Sequence, residues 1–189
     1  MTEWRNWLFA AVLAIATGPC LADSAKWRSV AADSELQFVA RYENQALNGR
    51  FNAFSVMVTL AENDGFPLSM KVLVDVASAD MNDRDVNSEL GQPDWFDSSA
   101  FPQAIFESGE LVRVDQQRYL ARGVLSLKGV SRDLEVPFTW RRNSGTASIT
   151  GSMEMSRLAW NIGSGEWTET DVISDTVQLN FTVTLEPAD

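Results

Sequence analysis

Residues 177–185, VQLNFTVTL, show most plainly what kind of fold this sequence encodes. Apolar residues occupy the five odd positions and polar residues the four even positions. Strict alternation of this kind is typical of a β-strand, because successive side chains point to opposite faces. It predicts a strand that buries one face in a core and exposes the other, as in an antiparallel sheet.

The same alternation recurs along the chain. It covers residues 36–42, 54–60, 70–76 and 134–140, and further strands fit residues 103–113, 118–128 and 146–155. Turn-forming residues separate these stretches at 62–65, 115–117, 128–131 and 143–145. About eight strands of this kind predict an all-β fold, and a sheet of that size tends to curl and close. A barrel with a narrow interior and a two-sheet sandwich both fit, since alternation alone does not separate them.

One segment, residues 82–97, departs from the period of two. Asn82 or Asp83 can cap a short helix at its start. Val86 and Leu90 lie four residues apart and would share the buried face of that helix. We expect a short helical insertion between two strands that plugs one barrel end or gates an opening.

The first 22 residues read as a secretory signal peptide. Their apolar run, residues 8–16, follows Arg5 and is far shorter than the roughly 20 residues that span a bilayer. We expect cleavage after Ala22, which leaves residues 23–189 as a single domain. The mature chain then has no cysteine, since Cys20 is the only one, and this suits export to an oxidising compartment.

The composition excludes several classes of function. With 26 Asp and Glu against 15 Lys and Arg, the net charge is −11, so we expect no nucleic acid partner. The absence of histidine excludes Ser-His-Asp and Cys-His catalysis and His-ligated zinc. The acidic residues around 80–85 resemble a calcium loop only superficially, because Arg84 occupies a ligand position. We predict no metal and no cofactor.

Several blocks of sequence, in a fixed order, go further than composition. They are SELQF at 34–38, LNGRFNAF at 47–54, VDVASAD at 74–80, DWFD at 94–97, FPQAIFES at 101–108, GVLSLKGVSR at 123–132 and RLAWNIG at 157–163. Together they resemble the YceI-like family, periplasmic lipocalin-like proteins that bind polyisoprenoids. The resemblance covers about residues 27–187.

The resemblance implies a fold and a function. The fold is an extended eight-stranded antiparallel lipocalin-like barrel with a short helical insertion and a hydrophobic tunnel. The function is the sequestration of an isoprenoid lipid, such as a quinone or a polyprenyl chain, in the periplasm. A membrane cytochrome partner and a homodimer are further expectations from the family.

The candidate ligand-binding residues come from the apolar strand faces and from the helical insertion, where Trp95 and Phe96 are candidate gate residues. They are Phe38, Phe54, Val56, Val72, Val74, Trp95, Phe96, Phe106, Leu125, Leu127, Val136, Phe138, Leu179 and Phe181. We expect no catalytic residues and no enzymatic activity. Two alternatives remain: a structural or stress-response partner whose barrel is filled with side chains, and a lipid-modifying enzyme that uses paired carboxylates.

Overall fold

The computed structural model describes residues 24–61 and 65–188, and these form strands, one short α-helix and single turns of 3-10 helix. The helix, α1, spans Arg84–Leu90. The strand segments are β1 (Ser24–Ser29), β2 (Glu35–Tyr42), β3 (Gln45–Phe51), β4 (Phe54–Ala61), β5 (Pro67–Asp75), β6 (Ala79–Asp80), β7 (Gln103–Arg113), β8 (Arg118–Leu127), β9 (Val130–Asn143), β10 (Thr146–Ser156) and β11 (Thr176–Pro187).

The segments join into one closed antiparallel barrel of eight long strands. Three of these strands are interrupted in the middle, so that β1 continues into β2, β3 into β4 and β5 into β6. Neighbours pair in the order β1-β4-β5-β7-β8-β9-β10-β11, and β11 closes the sheet by pairing with β1 at one end and β2 at the other. This closure confirms the predicted all-β barrel and leaves no place for the sandwich alternative.

Tight turns link several strands, as the turn residues predicted. Lys128 and Gly129 both have positive φ, 47° and 72°, and join β8 to β9. Glu43 and Asn44, at 46° and 66°, join β2 to β3 in the same way, at a turn that the sequence analysis did not predict. Two positive φ values in a two-residue loop match the twist of a hairpin. The predicted turn at 62–65 falls mostly outside the described residues, and the predicted signal peptide, residues 1–22, falls wholly outside them.

The alternation pattern did not predict β1, a short strand with a single large apolar residue. Trp27 is buried, but its neighbours Lys26 and Arg28 are exposed. Six residues with one such side chain carry too little periodicity to be distinguished from a loop. The strand forms because β4 and β11 each offer it an edge to pair with.

The barrel interior divides into two halves along the strands. The filled half contains a buried cluster that includes Val58, Ala121 and Leu185, and these three side chains have no exposed surface. The hollow half contains the second cluster, in which Phe38 and Trp160 pack with the α1 region. Between the two halves lie side chains that contact both clusters: Phe54, Val72, Leu125 and Leu134.

The predicted helical insertion is confirmed between β6 and β7. Asp83 is its N-cap, and one carboxylate oxygen accepts hydrogen bonds from the N–H groups of Asp85 at 2.9 Å and Val86 at 3.1 Å. Leu90 is buried against the hollow half, whereas Val86 is 38% exposed at its edge. In the described ranges, no helix has the length and apolar character needed to cross a membrane.

Candidate functional site

The hollow half encloses an apolar cavity of about 340 Å³. Its walls come from β2 and β3 on one side and from α1 and the turn that carries Trp95 on another. The ends of β5, β7, β8, β10 and β11 and the connection between β10 and β11 complete them. Most lining residues are apolar, and the two charged ones among them are Glu89 and Arg157. A cavity of this size and character suits a hydrocarbon chain or ring, because small-molecule sites are concave and mostly apolar.

The structure separates the candidate ligand-binding residues into two groups. Seven line the cavity: Phe38, Val74, Trp95, Phe96, Leu125, Leu127 and Leu179. Seven others pack in or against the cluster of the filled half: Phe54, Val56, Val72, Phe106, Val136, Phe138 and Phe181. Both groups come from apolar strand faces, apart from the gate pair Trp95 and Phe96. Alternation identifies the inward-facing residues but does not indicate how far the cavity extends along the barrel. A ligand contact for any of them stays a prediction.

Sequence reasoning did not select a further set of lining residues. In the β2–β3 hairpin they are Leu36, Ala40, Tyr42, Leu47 and Phe51, in or beside α1 they are Val76, Met81, Val86, Glu89 and Leu90, and elsewhere they are Ala104, Met155, Arg157, Ile162, Trp167, Ile173 and Val177. Those on β2 share the apolar face of Phe38, so the period of two was an available signal. Those between 157 and 173 lie in a segment without periodicity.

Three aromatic rings form a continuous wall across the first hairpin and the insertion. The ring centroids of Phe38 and Phe51 are 5.2 Å apart, and those of Phe51 and Phe96 are 5.9 Å apart. The Phe38 ring lies against Gly49, its partner on β3, and a Cβ at that glycine would collide with the ring. Gly49 therefore gives Phe38 the space to lie against the cavity wall.

Arg157 organises the long connection between β10 and β11. Its side chain is 4% exposed, and the guanidinium donates to five backbone carbonyls, of Ile162, Gly163, Trp167, Ile173 and Ser174, at 2.7–3.1 Å. Burial lowers the pKa of Arg157, and the nearby Asp175 carboxylate opposes this. An arginine remains charged in such a setting. One cation therefore fixes the connection that covers one side of the cavity.

Further contacts attach this connection to the barrel wall. Lys128 Nζ donates to the carbonyl of Asn161 at 2.7 Å, and Arg132 Nε donates to the carbonyl of Ala159 at 2.7 Å. Burial lowers the pKa of Lys128, and Asp94 and Asp97 oppose this. The 157–175 connection is thus attached to the β8–β9 hairpin as well as to Arg157.

Two tryptophans meet at the cavity wall. The rings of Trp95 and Trp167 are 5.6 Å apart, and the guanidinium of Arg157 lies 5.9 Å from the Trp95 ring centre. The indole N–H of Trp95 is buried without a hydrogen-bond partner in the described part of the chain. These rings give the site an intrinsic fluorescence signal.

Asp80 connects α1 to the first hairpin. Its carboxylate accepts hydrogen bonds from the Asn82 backbone at 2.9 Å, from the side chains of Asn87 and Asn52 at 3.0 and 3.3 Å, and from Arg50 at 3.2 Å. These bonds, the Asn82 N–H first among them, lower the pKa of Asp80 to about 2. The helix that forms a cavity wall is therefore held by Asp80 and Asn87.

The mouth of the cavity lies between the tip of the β2–β3 hairpin and α1. There the lining residues Tyr42, Leu47 and Val86 are 41%, 38% and 38% exposed, and Glu89 adds a charge at the edge. Glu89 is the one carboxylate among the described lining residues. Among residues 24–61 and 65–188, no group of three or more acidic, histidine or cysteine side chains is arranged to hold a metal.

Comparison with known sequences identifies relatives of this barrel. A family profile described as the YceI-like domain matches residues 27–185. A UPF0312 protein of Vibrio parahaemolyticus is 28% identical over 133 residues, which make up 68% of this chain and 70% of that protein. A UPF0312 protein of Photorhabdus laumondii is 30% identical over 86 residues, and this chain spans only 44% of its length.

Solved structures extend the likeness. The crystal structure of Burkholderia cenocepacia BcnA has a TM-score of 0.78 and 31% identity, and the match covers 82% of this chain and 98% of that one. A polyisoprenoid binding domain from Saccharophagus degradans, implicated in plant cell wall breakdown, has a TM-score of 0.71 over 88% of this chain and all of its own. At 16% identity, that second match shows likeness of fold. Because the profile matches most of the chain and the BcnA match covers the same barrel, this protein belongs to the YceI-like family.

Proposed function

We propose that this protein is a periplasmic carrier that sequesters an isoprenoid lipid, such as a quinone or a polyprenyl chain, with its tail in the cavity of the hollow half. The observation that carries the proposal is the apolar cavity of about 340 Å³ inside a YceI-like barrel. The Saccharophagus domain of the same fold is named for polyisoprenoid binding, which supports the choice of lipid class.

Burial of the tail supplies the binding energy in this proposal. Each methylene moved from water to an apolar wall contributes about 0.8 kcal/mol. The lining is mostly apolar, with Glu89 at its edge, so affinity rises with the apolar area of the ligand that enters the cavity. The charge of −11 keeps the loaded carrier away from anionic headgroups, which favours release of the protein from a membrane surface.

The two alternative functions receive less support. A carboxylate-dependent enzyme needs two carboxylates at the site, and Glu89 is the one that lines the cavity within the described residues. A structural partner with a filled barrel fits only the half around Val58 and Leu185. The membrane cytochrome partner, the homodimer and the periplasmic location stay predictions from the family.

Native mass spectrometry of the protein purified from its periplasm, followed by solvent extraction, tests the proposal. A near-stoichiometric prenyl lipid is the expected result. Short-chain quinones should also quench the fluorescence of Trp95 and Trp167, which line the cavity, and the quenching should fall when both are replaced by Phe. Trp27→Phe is the matched control, because Trp27 lies in the filled half. An empty protein that takes up neither quinone nor polyprenol would refute the carrier function.

A further inference from the structure

We propose that the rim of the cavity mouth is a docking surface for a protein whose contact face is an apolar patch bordered by lysine or arginine. The mouth rim consists of the exposed apolar residues Tyr42, Leu47, Val86 and Val172 and the acidic side chains around them. This surface lies outside the cavity, so it is an addition to the carrier function and does not depend on what the cavity holds.

Exposed apolar side chains concentrate at the mouth. Nine large apolar residues are exposed in the part of the chain that the structure describes, and four of them belong to the mouth rim. Tyr42 and Leu47 come from the β2–β3 hairpin and Val86 from α1. Val172 lies beside the hairpin tip, where its carbonyl accepts a hydrogen bond from the N–H of Glu43 at 2.8 Å. Apolar side chains that gather at one place on a surface mark a site of interaction.

Acidic side chains border this apolar surface. Three come from the hairpin tip and from α1, and two come from the stretch between the lining residues Trp167 and Ile173. The five exposed residues are Glu43, Asp85, Glu89, Glu169 and Asp171. Among residues 24–61 and 65–188, none of the five forms an ion pair.

The basic residues nearest to the rim in sequence point away from it. Arg41 precedes Tyr42 on β2, where successive side chains lie on opposite faces. Arg84 lies two residues before Val86 on α1, which places it on the other side of the helix. The charge at the mouth rim is therefore negative.

This charge decides which occupant fits the rim. An anionic membrane surface is repelled by the carboxylates. A second copy that docks rim to rim brings like charges together, which costs free energy at an interface. A protein with lysine or arginine around an apolar patch supplies a counter-charge to the carboxylates and covers the apolar side chains. The basic protein is therefore the occupant that the surface favours.

The three segments of the rim are already joined to one another. Tyr42 pairs with Ile173, so the hairpin tip and the 157–175 connection share backbone hydrogen bonds. Asp80 accepts from Asn87 of α1 and from Arg50 of β3, which joins the helix to the hairpin. A surface that is formed before a partner arrives loses little conformational entropy on docking.

Fluorescence anisotropy with two labelled peptides tests the surface. The probe is an amphipathic helical peptide of leucine and lysine, and the comparison peptide has glutamate in place of every lysine. We expect the protein to bind the lysine peptide alone. Raising the salt concentration from about 0.05 to 0.5 M should weaken this binding about tenfold or more, because exposed charge pairs are screened. Equal binding of both peptides, or of neither, would overturn the proposal.

Two double variants separate the apolar from the charged contribution. Leu47→Ser with Val172→Ser removes apolar surface, and Glu43→Lys with Asp171→Lys reverses charge. Each should weaken binding of the lysine peptide about tenfold or more. All four positions are exposed, so we expect both variants to fold. Wild-type affinity in either variant would overturn the proposal.

Matched controls come from exposed positions outside the rim. Val114→Ser with Val124→Ser removes a similar apolar surface, and Asp133→Lys with Glu154→Lys changes the net charge by the same amount as the rim variant. Both controls should change binding less than about twofold. A loss equal to that of the rim variants would mean that the peptide is attracted to the acidic chain as a whole, which would overturn a local surface.

A photo-cross-linking residue at Leu47 or Val172, used in intact cells, tests for a natural partner. We expect an adduct with a protein that, once purified, binds the wild type but not the variant with Glu43→Lys and Asp171→Lys. The same residue at Val124 is the control. Rim-dependent binding to anionic vesicles, or self-association that the Leu47→Ser and Val172→Ser variant loses, would overturn the proposal in favour of a membrane or a second copy.

Discussion

At the scale of single residues, Arg157 is the side chain that fixes the connection on one side of the cavity. It joins the carbonyls of Ile162 and Trp167 to those of Ile173 and Ser174. These residues lie in or beside a connection whose regular structure is limited to two single turns of 3-10 helix. All five of its acceptors are backbone oxygens, so the guanidinium donates the hydrogen bonds that the N–H groups of a neighbouring strand would otherwise donate. The planar guanidinium has several N–H donors and can bond several carbonyls at once, which the single ammonium group of a lysine does less well.

We expect Arg157→Met to lower the free energy of unfolding by about 2–4 kcal/mol, because buried carbonyls lose a charged donor. Arg157→Lys should be intermediate, since it keeps the charge but reaches fewer of the five carbonyls. Urea unfolding measures both. A loss below about 0.5 kcal/mol in the methionine variant would show that water or other donors satisfy the carbonyls.

Asp80 makes the free energy of unfolding depend on pH. Its pKa falls from 3.8 to about 2 in the folded protein, so folding favours the ionised carboxylate. The resulting stabilisation is complete above about pH 4 and is lost as the pH falls towards 2. We expect the thermal midpoint of Asp80→Asn to lie below that of the wild type at pH 6 and to converge with it near pH 2. A difference that stays constant with pH would contradict this assignment.

Asp115 provides a matched comparison. Its pKa is also lowered to about 2, by the backbone N–H groups of Arg118 and Gln117, but it lies in the turn between β7 and β8. Asp115→Asn should show the same pH dependence as Asp80→Asn. Lipid binding should weaken only in the Asp80 variant, because Asp80 holds the helix at the cavity wall.

At the scale of elements, the helix α1 has seven residues and depends on its cap. We expect Asp83→Ala to cost about 1 kcal/mol, because two N–H groups lose their acceptor. Hydrogen exchange should speed up in residues 84–90 first. Asp85→Ala, in the first turn but not at the cap, should have a smaller effect, and an equal effect would mean that charge rather than capping stabilises the helix.

Local signals explain which elements the sequence could predict. The alternation in 177–185 and the turn residues at 128–131 each specify structure within a few residues, and β11 and the β8–β9 turn lie where they indicated. The cap at Asp83 is of the same kind. The 157–175 connection has no local period, because its conformation depends on Arg157 and on contacts with distant strands. Its contribution to the cavity could not be read from the sequence.

At the scale of the whole molecule, the alternation of apolar and polar residues does not predict where in the barrel the cavity lies. Ala104 and Phe106 follow the same inward pattern, yet one lines the cavity and the other fills the core. Which occurs depends on the summed volume of side chains that eight strands bring to one level of the barrel. That sum requires the register of the closed sheet, which the sequence pattern does not give.

The long strands run through both halves, so we expect the barrel to unfold as one unit despite its uneven packing. β7 contributes Ala104 to the hollow half and Leu111 to the filled half, and its neighbours continue in the same way. A lipid that occupies the hollow half should then stabilise the filled half equally. At a lipid concentration 100 times the dissociation constant, the gain is about 2.7 kcal/mol.

Tryptophan fluorescence can follow each half separately. One variant retains Trp27 and Trp140 of the filled half, and the other retains Trp95, Trp160 and Trp167 of the hollow half, with Phe replacing the rest. Both should show one transition at the same urea midpoint, and added lipid should shift both midpoints by the same amount. The headgroup without a tail should shift neither, since the cavity wall is apolar. An earlier transition in the hollow-half variant alone would mean that the hollow half unfolds independently of the filled core.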